Sequence, residues 1–423
     1  MTNTKEPRAR LRDYPGFLRF WTASTVSEFG TYVSTIAIQV IVVFALHNGA
    51  AGVGLVSAAR WLPYPLLGLV AGVLVDRSRR RPLLVTTDLV RGLLLVVVPV
   101  LALIHHLSLV VLMVFMAAFG LMSLLNDAAS QSFLPRLVPA SQLTSANARL
   151  DQSGSVAQTS GPTIGGGLVS LLTAPWAVLI DAASYVASGL LLLRIPISEP
   201  PRRPVSLRGV QREALEGLRW IYRHATLRPL ALSTHGWFLC NAVAGTVLPL
   251  FVLRTLGVSA FGYGVVLSVG GVGALLGSLT ATRLGARFGC GRVVITCRVA
   301  TAISWALMAL SHRGLSGWVV LCTGQFLLGL SMGAENANEM GYWQALTPDA
   351  LQGRMNATRR SINRAMIVIG APVGGLLGDT IGYRPMLGIV AGGFLVVATT
   401  LGFSQFRSAR IDDAHWRLES DRF

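Results

Sequence analysis

Gly72-Val73-Leu74-Val75-Asp76-Arg77-Ser78-Arg79-Arg80-Arg81-Pro82 decides how this chain is read. A continuous apolar run lies on either side of it, at residues 53–75 and 83–104. A helix crosses a bilayer with roughly 20 apolar residues, so each run is long enough to span one. The quoted stretch is then a short, very basic turn between two membrane helices. Short basic loops stay in the cytoplasm, which puts the turn inside and orients the helices on both sides of it. Topology accounts for the arginines. It does not account for Asp76, an acid at the membrane edge of a turn otherwise charged only positively, and that residue suggests a gate.

Composition points the same way. Of 423 residues, 52% are hydrophobic and 13% charged, and the mean hydropathy is +0.58. A soluble domain carries about 25% charged residues. The apolar runs are continuous, so they read as helices and not as the alternating strands of a barrel. A formal charge of +17 raises the question of nucleic acid. The arginines fall in the expected inner loops and tails, where topology explains them, so no nucleic-acid partner is expected. Cys240, Cys290, Cys297 and Cys322 form no Cys-x-x-Cys and have no histidine at metal spacing. They are expected to be small buried side chains and one loop thiol, with no metal and no cofactor. The first apolar run is too long for a cleavable signal and lacks a small-residue cleavage site.

Taken in order, the chain divides into residues 1–194, a six-helix bundle; 195–228, a linker; 229–406, a second six-helix bundle; and 407–423, a tail. Helices are expected at about 17–46, 53–75, 83–104, 109–132, 148–172 and 176–193. Pro135 and Pro139 break the chain before the fifth, and Ser141 is placed to cap it. The linker opens with Pro196, Pro200, Pro201 and Pro204. It continues with Leu207, Val210, Leu215, Leu218 and Ile221 on one helical face and Arg212, Glu213, Glu216 and Arg219 on the other. That pattern predicts an amphipathic helix on the inner membrane surface. Six further helices are expected at about 229–253, 263–282, 293–311, 317–343, 360–378 and 384–403. Twelve spans put both termini in the cytoplasm, beginning from a basic arm with Lys5, Arg8, Arg10, Arg12 and Arg19.

The halves repeat. Arg77 and Arg287 are 210 residues apart, Asn147 and Asn356 are 209, and Pro162 and Pro372 are 210. Gly161-Pro162-Thr163-Ile164-Gly165-Gly166 parallels Ala371-Pro372-Val373-Gly374-Gly375. The pattern of Gly72, Asp76, Arg77, Arg80 and Arg81 resembles the cytoplasmic loop between the second and third helices of major facilitator transporters. Phe20-Trp21-Thr22-Ala23-Ser24-Thr25-Val26-Ser27-Glu28-Phe29-Gly30, Leu134-Pro135-Arg136-Leu137-Val138-Pro139 and Ala146-Asn147-Ala148 are similar to the drug-efflux branch that includes macrolide and enterobactin-type siderophore exporters. The resemblance implies an all-α membrane protein of twelve helices in two pseudo-symmetric halves, with a binding site near the midplane about which the halves rock. It also implies that Asp76 locks one state against the start of helix 11, near Arg359, Arg360 and Arg364. Gly161, Pro162, Gly165 and Gly166 resemble an antiporter motif, which reads as a bending element or a tight seam. The branch often carries an acid just after the Phe-Gly of helix 1. Here that position is Thr31, and Glu28 lies three residues earlier, close to the same face.

Intramembrane carboxylates are expensive and usually face a cavity. Glu28, about ten residues into helix 1, is therefore the first candidate for carrying a proton. Asp127, Glu335 and Glu339 are the others. An offset of 209 sends Asn126 to Glu335 and Ser130 to Glu339. Arg60, Gln39, Asn126 and Asn336 are candidates for the substrate cavity. Asp88 and Arg91 are expected to pair, and Asp151 and Asp181 to be structural.

The expected function is efflux of an amphipathic small molecule in exchange for protons, by a protein for which a monomer suffices, in the plasma membrane. Uptake by the same fold and a non-transporting sensor are the alternatives. An enzyme would need a convergent nucleophile and base, and the seven histidines are scattered. An ATP-driven pump would need a Gly-x-x-x-x-Gly-Lys loop, which does not occur.

Overall fold

A computed structural model describes residues 11–197 and 210–410; the first arginines of the amino-terminal arm, Pro200, Pro201, Pro204, Leu207 and most of the tail lie outside the described residues. The described chain is helical. Helix α1 (Pro15–Val40) ends in a π-helical turn, Ile41–Ala45. It is followed by α2 (Ala50–Trp61), α3 (Pro63–Asp76), α4 (Arg80–Leu103), α5 (Leu109–Phe133), α6 (Leu143–Leu172) and α7 (Ala174–Leu193). After α8 (Val210–Arg223) come α9 (Leu227–Leu250), α10 (Ala260–Phe288), α11 (Cys290–Leu310), α12 (Leu315–Leu346), α13 (Asp349–Ile381) and α14 (Tyr383–Gly402). As in the first group, α9 ends in a π-helical turn, Phe251–Thr255.

Ten of the described helices are long and apolar enough to cross a membrane. The remaining two of the twelve spans are α6, which carries many polar residues, and the pair α2–α3. The second span was expected as one helix over 53–75. It starts earlier, at Ala50, and breaks after Trp61 because Pro63 has no N–H to donate and its ring crowds the preceding turn. Two other helices begin well before their expected starts: α6 at Leu143 and α13 at Asp349, directly after Pro348. Ser141 makes no cap, since the residue before α6 is Gln142 and no side chain bonds there. Large apolar side chains such as Leu66, Leu93, Leu279 and Leu376 are exposed on the outside, as lipid-facing residues are in a multi-pass membrane protein.

In the first group α1 packs on α6 and α7, and α4 on α5 and α7; in the second α9 packs on α13 and α14, and α11 on α12 and α14. The groups meet along two seams, α2 with α13 and α6 with α10. Both seams exist because glycine lets backbones touch. A Cβ on Gly54 of α2 would stand 2.2 Å from the Ala371 carbonyl oxygen, and one on Gly264 of α10 would stand 2.2 Å from that of Pro162. Gly54 and Gly264 are themselves 210 residues apart, so the two contacts are symmetry copies. A Cβ on Gly166 or Gly375 would likewise lie 2.3 Å from the carbonyl oxygen of Ala260 or Ala50.

The two ends of the bundle are held differently. At the far end, opposite the α3–α4 turn, the Asp379 carboxylate accepts the backbone N–H groups of Ala50 and Ala51, each at 2.8 Å. Arg254 donates to the Val43 carbonyl across the groups. At the basic end, which carries that turn, Arg81 donates to the carbonyls of Leu192 and Leu193, and Arg19 to that of Arg194 at 2.7 Å. These are the orphan acceptors at the end of α7, where cations are favoured. Gly72 and Gly353 at this end have nothing within 4 Å of a built Cβ. The predicted amphipathic helix is α8. Its Ile221 is buried with Leu227, Trp343 and Met355, and its Glu216 pairs with Arg354 of α13 at 2.5 Å. The part of its apolar face that carries Ile221 is therefore turned to protein, whereas Leu215 is exposed.

Candidate functional site

A cavity of about 810 Å³ lies between the two groups. The first group lines it with Gln39 of α1, Trp61 of α2 and Gln158 of α6. The second contributes Trp237 and Phe238 of α9, Glu335, Asn336 and Glu339 of α12, and Arg359, Arg360 and Arg364 of α13. Polar residues at this depth are costly unless partnered, so the partners organise the site.

The centre of the second group is Arg298 of α11, which has no exposed surface. Its Nε donates to Glu335 at 2.8 Å and its Nη2 to Glu339 at 3.1 Å; Ser233 and Thr234 take further bonds. Glu339 also accepts from Thr234 at 2.9 Å, from the Trp343 indole at 3.2 Å and from Arg359 at 3.4 Å. Removing any one of these charges would strand the others in a low-dielectric interior.

The first group answers this with a cluster of its own. Asp88 pairs with Arg91, accepts from Ser188 at 2.5 Å and accepts from Asn126 at 3.0 Å. Asp88 and Arg298 are 210 residues apart, and Asn126 and Glu335 are 209. The same helix-to-helix contact is made in each group, with the chemistry exchanged.

A third set joins the groups. The Arg364 guanidinium stacks 4.0 Å from the centre of the Trp61 ring and lies 5.8 Å from that of Tyr64. Tyr64 in turn donates to Asp127 of α5 at 2.8 Å. On the far side of α9, Tyr222 of α8 bonds His235 at 2.9 Å, and His235 bonds Asn363 of α13 at 2.7 Å.

The sequence matches the profile of the transmembrane secretion effector family over residues 9–419. The chain belongs to this family of major facilitator transporters. It is similar to the multidrug efflux pump Tap of Mycolicibacterium fortuitum, 26% identical over 394 residues that make up 90% of this chain and 92% of that one. It is also similar to the enterobactin exporter EntS of Shigella boydii, 26% identical over 393 residues covering 91% and 90% of the two chains. The nucleoside transporter NupG shares the fold, with a TM-score of 0.75 at 14% identity over 91% of this chain and 98% of that one. The twelve-span, two-group architecture expected from the internal repeat is thus the fold found.

In this secretion effector the expected site residues fall into three sets. Gln39, Asn336, Glu335 and Glu339 line the cavity. Asn126 does not: its amide is bonded to Thr87 at 2.8 Å and to Asp88, on α4. Arg60 does not either. Its side chain lies over Phe119 and Trp61, 5.3 and 5.7 Å from the ring centres, and Gly120 packs against its backbone. Glu28 faces α6, with Gly154 against its carboxylate, and has no hydrogen bond or ion pair among the described residues; its Oε2 is buried.

Of the gate residues, Asp76 is the last residue of α3, and its side chain lies outside the described residues. Arg80 bonds the Ser78 carbonyl at 3.3 Å, and Arg81 bonds carbonyls at the end of α7. The motif at Gly161, Pro162, Gly165 and Gly166 is a seam on two sides: Gly161 meets Tyr32, Gly165 meets Val33 and Gly166 meets α10. Helix α6 runs unbroken through Pro162. Arg298, Asp379 and the Arg364–Trp61 stack went unread in the sequence, although an offset of 210 from Asp88 leads directly to Arg298.

Proposed function

We propose that this secretion effector exports an amphipathic small molecule in exchange for protons, by alternating access between its two six-helix halves. The observation that carries the reading is the cavity, closed toward the far end by two backbone-on-backbone seams and lined by both halves. With the basic end in the cytoplasm, as short basic loops dictate, such a form loads from inside the cell. The efflux relatives support the outward direction. Both termini then lie in the cytoplasm and the protein works in the plasma membrane as a monomer.

Glu28 is the proton carrier in this reading. Asp127, Glu335 and Glu339 all have hydrogen-bond or ionic partners, whereas Glu28 has none among the described residues. A carboxyl so placed can take up and give up a proton without breaking an ion pair. A proton crossing 100 mV releases about 2.3 kcal/mol, enough for one or two to drive useful efflux.

The test is retention of dyes, macrolides and siderophores in cells, comparing the wild type with Glu28→Gln, with and without a protonophore. Loss of a compound that both the substitution and the protonophore stop is the expected result. Efflux that survives Glu28→Gln but not the protonophore moves coupling to another carboxyl. Accumulation in place of loss would make the protein an importer and overturn the proposal.

A further inference from the structure

We propose that the compound this cavity takes is an anion with a flat aromatic body, its negative group held by Arg364 and its ring among Trp61, Trp237 and Phe238. This rests on the reading above that the protein moves a small molecule. Four arginines and two glutamates line the cavity. Arg298 and Arg359 are matched by Glu335 and Glu339 at 2.8 to 3.4 Å. Arg360 and Arg364 are left over: among the described residues neither has a carboxylate within 4.0 Å or a hydrogen-bond acceptor. Asp127 lies in their field, but its carboxylate is bonded to Tyr64 and also faces Arg91.

An unpaired guanidinium midway along a membrane helix is expensive, and such residues mark ligand paths. Arg364 is steadied by its face, which lies on Trp61. That leaves the donors along its edge free, in the fork that a carboxylate or sulfonate matches with two parallel bonds. A cationic compound would enter the same space against a surplus of two positive charges and gain nothing from Arg364. The indole and phenyl faces beside it favour a planar body.

The test uses purified protein in lipid nanodiscs and equilibrium dialysis of three probes that share one ring system: 2-naphthoate, 2-naphthamide and 2-naphthylmethylammonium. The wild type should bind the naphthoate at least about tenfold more tightly than either of the others, the gain expected of a charge-assisted bidentate contact. Arg364→Gln should abolish that preference and leave naphthamide binding in place. Arg364→Lys should keep part of it, which separates charge from fold. Trp61→Ala should weaken all three probes. Equal or tighter binding of the ammonium, a preference that survives Arg364→Gln, or no naphthoate binding up to its solubility limit would overturn the proposal. Binding is read independently of direction and coupling. An Arg364-dependent anion preference with no efflux of any compound would keep the site and remove the exporter; efflux of cations unaffected by Arg364→Gln would do the reverse.

Discussion

Asp379 reaches from the end of α13 to Ala50 at the start of α2, 2.8 Å away in the other half of the molecule. Its second oxygen takes the N–H of Ala51. One carboxylate thus satisfies two orphan donors and meets the positive end of a helix. The symmetry copy is gentler: Ser170, 209 residues before Asp379, accepts the N–H of Phe261 at 3.1 Å. The far end is held shut by helix capping across the halves. Asp379→Ala removes a contact worth on the order of 1 kcal/mol, which should raise the population open at that end about fivefold. Labelling of a cysteine placed at Gln39, with the four native cysteines replaced, by an impermeant maleimide added from the far side would report it. An unchanged labelling rate would count against the latch.

Gly54 and Gly264 should not tolerate even one added carbon. With 2.2 Å between a Cβ and a carbonyl oxygen, the helices must separate or the closed form is lost. Gly54→Ala and Gly264→Ala should each insert normally and elute as folded protein, yet lose most transport. Retention assays beside size-exclusion profiles distinguish this from misfolding, and full transport by either variant would refute the seam.

The Arg298 cluster should behave as a unit. Arg298→Ala strands Glu335, leaves Glu339 only Arg359, and is expected to cost about 3–5 kcal/mol. Adding Glu335→Gln and Glu339→Gln to the same chain should recover part of that loss, because the stranded carboxylates go with Arg298 while Arg359 gives up the carboxylate it shares. Thermal denaturation in detergent gives both numbers. A triple variant less stable than the single one would show that the cluster's worth lies elsewhere.

Arg81 and Asp76 should separate cleanly. Arg81→Ala removes a cation from the end of α7 and should lower stability by about 1 kcal/mol. Asp76→Asn should leave stability alone and cripple turnover if that residue is a gate. Thermal shifts and transport rates measured on the same two preparations decide the matter.

The helices and their number could be read because lipid demands long apolar runs, and the repeat could be read because Pro162 and Pro372 stand at one offset. The break at Pro63 is local backbone chemistry, but the continuous apolar run at 53–75 conceals it. The early starts of α6 and α13 were hidden for the opposite reason. Their first turns are polar, and hydropathy marks only the part of a helix that lipid touches. The site was legible in its residue types and not in its pairings. Asn126 looks like a cavity amide until α4 supplies Thr87 and Asp88. Arg298 looks like any loop-proximal arginine until Glu335 and Glu339, 37 and 41 residues away, close on it. Such contacts depend on which face each helix turns inward, and the sequence of one helix does not set its rotation against another.

The glycine seams bear on what moves through the membrane field when the halves part. They are built from peptide carbonyls, Cα atoms and a proline ring, with no ionised group between Gly54 and Pro372 or between Gly264 and Pro162. Parting them moves no charge through the membrane field, whereas each elementary charge carried across 100 mV is worth about 2.3 kcal/mol. The seams themselves therefore add no gating charge, and any charge that shifts when the far end opens belongs to Asp379 and Arg254, which cross it, or to the passengers.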